Sequence, residues 1–115
     1  MKITHLSSEF SVTSQLIESD VTIALANGFR SIVCNRLDGE ALDQTPFRKI
    51  CEAAASVGVM AHYLPVVSGQ MRPEDTIAFR SLVENLPKPI LAYCRTGSRS
   101  AMLWNAAGLA GHRDH

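Results

Sequence analysis

The residues best suited to chemistry stand together in Cys94-Arg95-Thr96-Gly97-Ser98-Arg99-Ser100. An apolar run, Ile90-Leu91-Ala92-Tyr93, precedes them, and Ala101, Met102, Leu103 and Trp104 follow. A short loop between a buried strand and a helix start can turn backbone N–H groups inward, where they add to the positive end of the helix dipole and form an anion cradle. Arg95, Thr96, Gly97 and Ser98 supply that loop, and Gly97 permits the tight turn. A thiol in the cradle meets amides, the dipole and the guanidiniums of Arg95 and Arg99, all of which favour its thiolate at neutral pH. Arg99 suits a planar two-point contact with an oxyanion. Ser100 stands where its hydroxyl can donate to the sulfur. The plainer alternative is a buried strand-end cysteine beside solvated arginines. The order of strand, glycine turn, arginine and helix argues against it.

The rest of the chain supplies elements that would hold this loop. Phe10–Thr13 reads as a first, weak strand, and Asp20–Asn27 as a helix carrying Val21, Ala24 and Leu25 and stopping at Gly28. Ser31–Cys34 is a buried strand that breaks into the turn Asn35-Arg36-Leu37-Asp38-Gly39-Glu40. Thr45 as N-cap and Pro46 at the first helical position open a helix with Phe47, Ile50, Cys51 and Ala54 on one face, ending at Gly58. Val59–Val67 reads as a third strand, and Pro73 opens a helix carrying Phe79, Leu82, Val83 and Leu86 that Pro87 and Pro89 close. Ile90–Cys94 is the fourth strand and Ser100–Ala107 the last helix. Strands alternating with helices predict an α/β fold, with a mostly parallel central sheet of about four to five strands flanked by helices on both faces. Ligands of such sheets bind beyond the carboxyl ends of the strands, where Cys94 falls.

Composition narrows the possibilities. The 115 residues are 46% hydrophobic, and eleven basic residues balance eleven acidic ones. A neutral chain lacks the basic excess that grips nucleic acid or an anionic membrane, so any anion site is local. The amino terminus has no apolar stretch of signal-peptide length, and no run approaches the roughly 20 residues that span a bilayer. The expectation is a single soluble, cytoplasmic domain over residues 1–115, without repeats or linkers. Three cysteines with no CxxC pair fit neither a disulfide framework nor a thiolate metal cage. His5, His62, His112 and His115 have no ligand spacing, so neither metal nor cofactor is called for. Cys51 reads as core. Cys34, near a strand carboxyl end, stands either to pair with Cys94 or receive its sulfur, or simply to fill the core. Arg36 adds charge at the site's rim or is a solvated turn residue.

The loop from Cys94 to Arg99 with its following serine resembles the phosphate-binding loop of cysteine-dependent tyrosine and dual-specificity phosphatases, and equally the active-site loop of rhodaneses. Together with Gly28-Phe29-Arg30-Ser31-Ile32-Val33 and the Asn35-to-Glu40 turn, nearly the whole chain is similar to the bacterial beta-lactamase hydrolase-like, phosphatase-like family. That resemblance implies a cysteine-phosphatase-like fold, Cys94 as nucleophile, Arg99 as oxyanion binder, Arg95 to Ser98 as the cradle, and Ser100 assisting departure of the thiolate. The substrate would be a small oxyanion, a phosphoester or a sulfane-sulfur compound.

Two features depart from the phosphatase pattern. That motif places five residues between cysteine and arginine, whereas here there are four, Arg95 to Ser98. The tighter ring suits the single sulfur of a rhodanese-like sulfurtransferase. Phosphoester cleavage also needs a general acid. Asp38, on the loop after the second strand, and Asp75, at a helix start, are the candidates, each with an ordinary structural job as its alternative: turn chemistry for Asp38 and the helix N-terminus for Asp75. A third reading is a catalytically weak anion-sensing module. Gly108 to His115 ends where the resembled family commonly adds a helix, and a shortened end would expose apolar surface and favour a homodimer.

Overall fold

The computed structural model describes residues 1–109. The expectations for the last residues, His112 and His115 among them, lie outside the described residues. Five strands form one sheet: β1 (Thr4–His5), β2 (Phe10–Thr13), β3 (Ser31–Cys34), β4 (Met60–Tyr63) and β5 (Ile90–Tyr93). Four helices accompany them: α1 (Glu18–Ala26), α2 (Phe47–Ser56), α3 (Pro73–Asn85) and α4 (Ser98–Ala106). The sheet order is β1-β2-β5-β3-β4, with only the β1–β2 pair antiparallel.

The chain moves from β2 across to β3 and on to β4, then returns through α3 to the central strand β5. Right-handed crossovers that run in opposite directions place their helices on opposite faces. Accordingly α1 packs with α2 on one face and α3 with α4 on the other. Alternation along each strand feeds both cores. Ile32, Cys34, Leu91 and Tyr93 join Val21, Ala24, Ile50 and Ala54 on the α1–α2 side. Phe10, Val12, Val33, Ile90 and Ala92 join Phe79, Val83, Leu103 and Trp104 on the α3–α4 side. β5 is buried on both faces, and Ile90-Leu91-Ala92-Tyr93 accordingly shows no polar alternation.

Several boundaries differ from the sequence expectation. The two-residue β1 is too short and too exposed to leave a periodic signal. The Val59–Val67 strand shortens to Met60–Tyr63, because Pro65 has no N–H for the ladder. The extended chain nevertheless stays beside β3, with Leu64 N–H donating to Cys34 O at 2.9 Å and Val66 N–H to Asn35 O at 3.1 Å. Thr45 does not cap α2. Pro46 takes the N-cap position, and Phe47 N–H donates instead to Asp38 Oδ1 at 2.8 Å. Cys51 is half-buried rather than core.

On the α3–α4 side, Phe10 stacks on Trp104 at a centroid distance of 4.4 Å and meets Phe79 edge-on at 5.6 Å. Removing the Phe10 ring takes one wall from both contacts. Phe10→Ala is expected to cost about 3–5 kcal/mol of stability, read from urea unfolding followed by the fluorescence of Trp104, the chain's single tryptophan. A loss below about 1 kcal/mol would contradict this packing.

Candidate active site

β5 ends at Tyr93 and α4 begins at Ser98, so the loop between them lies at the carboxyl end of the central strand. Cys94 is buried there, and Gly97 N–H donates to its Sγ at 3.1 Å. Gly97 has φ of +96°, and a Cβ on it would come within 3.3 Å of the carbonyl oxygen of Thr13. Handedness and backbone crowding therefore both require glycine. Arg95 O accepts from Gln15 N–H at 3.3 Å, which ties the loop to the segment leaving β2. The Thr96 and Ser98 hydroxyls lie 2.7 Å apart, and Ser98 N–H donates to Thr96 Oγ1 at 3.3 Å, closing the start of α4. The N–H groups of that first turn have no intrahelical acceptor, so the helix presents its positive end beside the thiol.

Cys94, Arg95, Thr96, Ser98 and Arg99 open on a cleft of about 470 Å³ whose other walls include Glu40, Val67, Met71 and Met102. The Arg99 side chain is only 10% exposed. Its Nη1 donates to Glu40 Oε2 at 2.8 Å, to Val66 O at 3.1 Å and to Asn35 O at 3.2 Å, while Nη2 donates to Glu40 Oε1 at 3.1 Å. Nε is buried with no partner. The guanidinium is thus fixed along one side and carries an unused donor. Glu40 also accepts from Arg36 Nε at 3.0 Å, and Arg36 Nη1 donates to Gln15 Oε1 at 3.1 Å. Arg36 is consequently buried and paired, neither a free rim charge nor a solvated turn residue. The Arg99 guanidinium first, and Arg36 after it, hold the Glu40 carboxyl below its ordinary value of 4.5 against the opposing effect of burial.

Other residues fall differently from the sequence expectation. Ser100 is buried, and its hydroxyl donates to Asn35 Oδ1 at 2.8 Å. Asn35 was expected only as the start of a turn, yet it is the hub beneath the site. Its N–H donates to Tyr93 O at 2.8 Å and its Nδ2 to Leu64 O at 2.9 Å. Glu40 was likewise missed as a site residue, although its i,i+4 spacing from Arg36 on the turn was a readable hint. Asp38 does not line the cleft: its carboxylate receives Phe47 N–H and its own N–H donates to Tyr63 Oη at 2.9 Å. Asp75 accepts from Arg72 N–H at 2.9 Å at the start of α3, and the Arg72 guanidinium lowers its pKa. Cys34 is free, points into the α1–α2 core and donates to Arg36 O at 3.2 Å; burial raises its pKa. Burial chiefly, and Cys34 next, also raise the pKa of Tyr93, whose buried Oη has no partner of good hydrogen-bond geometry. Among the described residues no cluster could hold a metal ion, and no helix is long and apolar enough to cross a membrane.

Two outcomes follow for stability. Glu40→Gln removes the charge from the two-point pair and is expected to cost roughly 1–3 kcal/mol at neutral pH. Because the folded Glu40 pKa is depressed, this contribution is present above pH 4.5 and is lost as pH falls through the lower folded value. The gap between wild type and Glu40→Gln in urea melts should therefore close below that pH; a gap unchanged by acid would contradict the ion pair. Asp38→Ala should cost about 1 kcal/mol through α2, whereas Asp38→Asn keeps an acceptor oxygen and most of that stability. Equal losses in the two variants would exclude the capping role.

The chain and its fold have counterparts among known proteins. Residues 2–111 match the model of the beta-lactamase hydrolase-like protein, phosphatase-like domain. A beta-lactamase hydrolase-like protein of Agrobacterium fabrum is 27% identical over 104 residues, which cover 90% of this chain and 24% of that protein. The chain thus spans about a quarter of the length of that relative. A crystal structure of a candidate phosphatase from Neisseria meningitidis Z2491 superposes with a TM-score of 0.84 at 31% identity, covering 96% of this chain and 89% of the other. The core catalytic domain of a PP-IP phosphatase from S. cerevisiae shares the fold, with a TM-score of 0.64 at 12% identity over 98% of this chain and 77% of that one. The family model's match over residues 2–111, with a 31% identical structure superposing over 96% of the chain, makes this chain a member of the beta-lactamase hydrolase-like, phosphatase-like family.

Proposed function

We propose that the chain is a cysteine-dependent phosphatase acting through a cysteinyl-phosphate intermediate. The observation that carries this reading is the convergence on one cleft of Cys94 Sγ, bonded by Gly97 N–H, and Arg99, clamped by Glu40 with Nε left free. A phosphate monoester seats its oxygens against the loop amides and Arg99. The Cys94 thiolate attacks phosphorus, the ester oxygen leaves, and water then cleaves the S–P bond to release phosphate and restore the thiolate. The donors are fixed before the substrate arrives, so charge developing on the phosphoryl oxygens is stabilised without reorganisation. Ser100 acts through Asn35, whose carbonyl in turn holds Arg99, and is a positioning residue.

The four-residue spacing between Cys94 and Arg99 favours a second reading, in which the thiolate takes a sulfane sulfur from thiosulfate or a persulfide and passes it to an acceptor. One protein preparation assayed for phosphate release from p-nitrophenyl phosphate and for thiocyanate from thiosulfate plus cyanide separates the two. The expected result is phosphate release that Cys94→Ser abolishes and Arg99→Lys lowers by roughly 10²-fold. Thiocyanate formation without phosphate release would replace the phosphatase reading with sulfur transfer. Phosphate release that survives in Cys94→Ser would overturn both.

A further inference from the structure

Among the described residues, the cleft brings a nucleophile and an oxyanion clamp together with no proton donor in its lining. Among its lining residues the titratable groups are Glu40, Cys94, Arg95 and Arg99. Both Glu40 oxygens accept from Arg99, and Oε1 also accepts from Arg36, so this carboxylate stays ionised at neutral pH. The neighbouring acids stand outside the cleft: Asp38 holds Phe47 N–H, Asp75 holds Arg72, and Asp43 is exposed on the turn before α2. The loop that lines the cleft from Val66 to Met71, turning at Ser68-Gly69, contains no acid. Val67 and Met102, about half exposed, give the cleft an apolar lip together with Met71.

Resting on the phosphatase reading, we infer that the site is built for aryl phosphates whose leaving oxygen is weakly basic and departs as the anion. Cys94 Sγ bonds to phosphorus as the P–O(aryl) bond breaks, and the electron pair leaves on the aryloxide, which takes its proton from bulk water afterwards. The ring packs on the apolar lip, where burial of a flat apolar group is favourable. The carboxylic acid that would protonate a leaving group is, in reverse, the base that would activate water, so its absence also slows cleavage of the S–P bond. Formation of the intermediate then outruns its hydrolysis.

Paired measurements with p-nitrophenyl phosphate and phenyl phosphate test this. A general acid contributes typically 10²–10⁴-fold, so kcat/KM is expected to fall by roughly that factor from the nitrophenyl to the phenyl ester. The ratio should be unchanged in Asp38→Asn and Asp43→Asn. Rapid mixing with p-nitrophenyl phosphate should give a burst of nitrophenol of about one equivalent per chain, absent in Cys94→Ser. The inference is overturned if the two esters differ by less than about tenfold, if no burst precedes steady turnover, or if either aspartate variant selectively slows the phenyl ester. In those cases Cys94-dependent turnover would leave the phosphatase reading standing. No Cys94-dependent release from the nitrophenyl ester would overturn both.

Discussion

The Arg99 guanidinium is where three segments of chain meet. Glu40 comes from the turn after β3, Val66 from the extended run after β4, and Arg99 from the first turn of α4, with Asn35 beneath them at the end of β3. Each of these segments leaves the carboxyl end of a parallel strand. The register of the sheet therefore delivers two carbonyl oxygens and one carboxylate to a single cation. The desolvation of a side chain only 10% exposed is offset by those contacts, and removal of any one partner would leave a buried donor to be satisfied from elsewhere. Nε is buried without such a partner, and the proposed role of Arg99 toward an oxyanion rests on the place of its side chain in the cleft wall.

The same sheet controls the thiol. β5 is central, paired with β2 on one side and β3 on the other, so Cys94 emerges from the most constrained part of the fold. Thr13 crowds the loop from the β2 side and forces glycine at 97, and Gln15 and Asn35 bond its neighbours from opposite flanks. A cradle held from both sides suits a reaction in which donors must be in place before charge develops. The two hydrophobic cores, one on each face, make this rigidity affordable in a small chain: Phe10, Phe79 and Trp104 fix the α3–α4 side, and Leu91 and Tyr93 anchor the other.

Much of this was legible in the sequence, for physical reasons that differ along the chain. Ser31–Cys34 and Ile90–Tyr93 are strands buried on both faces, so the apolar runs Ile32-Val33-Cys34 and Ile90-Leu91-Ala92 read directly. The Cys94–Ser100 loop reads from its order of strand, glycine and arginine. Residues whose roles depend on distant partners did not read. Asp38 meets Phe47 nine positions later and caps a helix that Thr45 and Pro46 seemed to start without help. Asn35 exchanges bonds with Leu64, Tyr93, Arg99 and Ser100, none of them near in sequence. Arg36 looked like a solvated turn charge because its partners, Glu40 and Gln15, gather only when the turn folds over the segment after β2. Long-range polar pairing leaves no periodic trace, whereas core packing does.

The central claim is covalent chemistry at Cys94, and the most direct test is to stop turnover of p-nitrophenyl phosphate in acid and map the digested chain by mass spectrometry. The account predicts a phosphoryl group on the peptide carrying Cys94 and on no other. Phosphate release that continues while this peptide remains unmodified throughout turnover would contradict it.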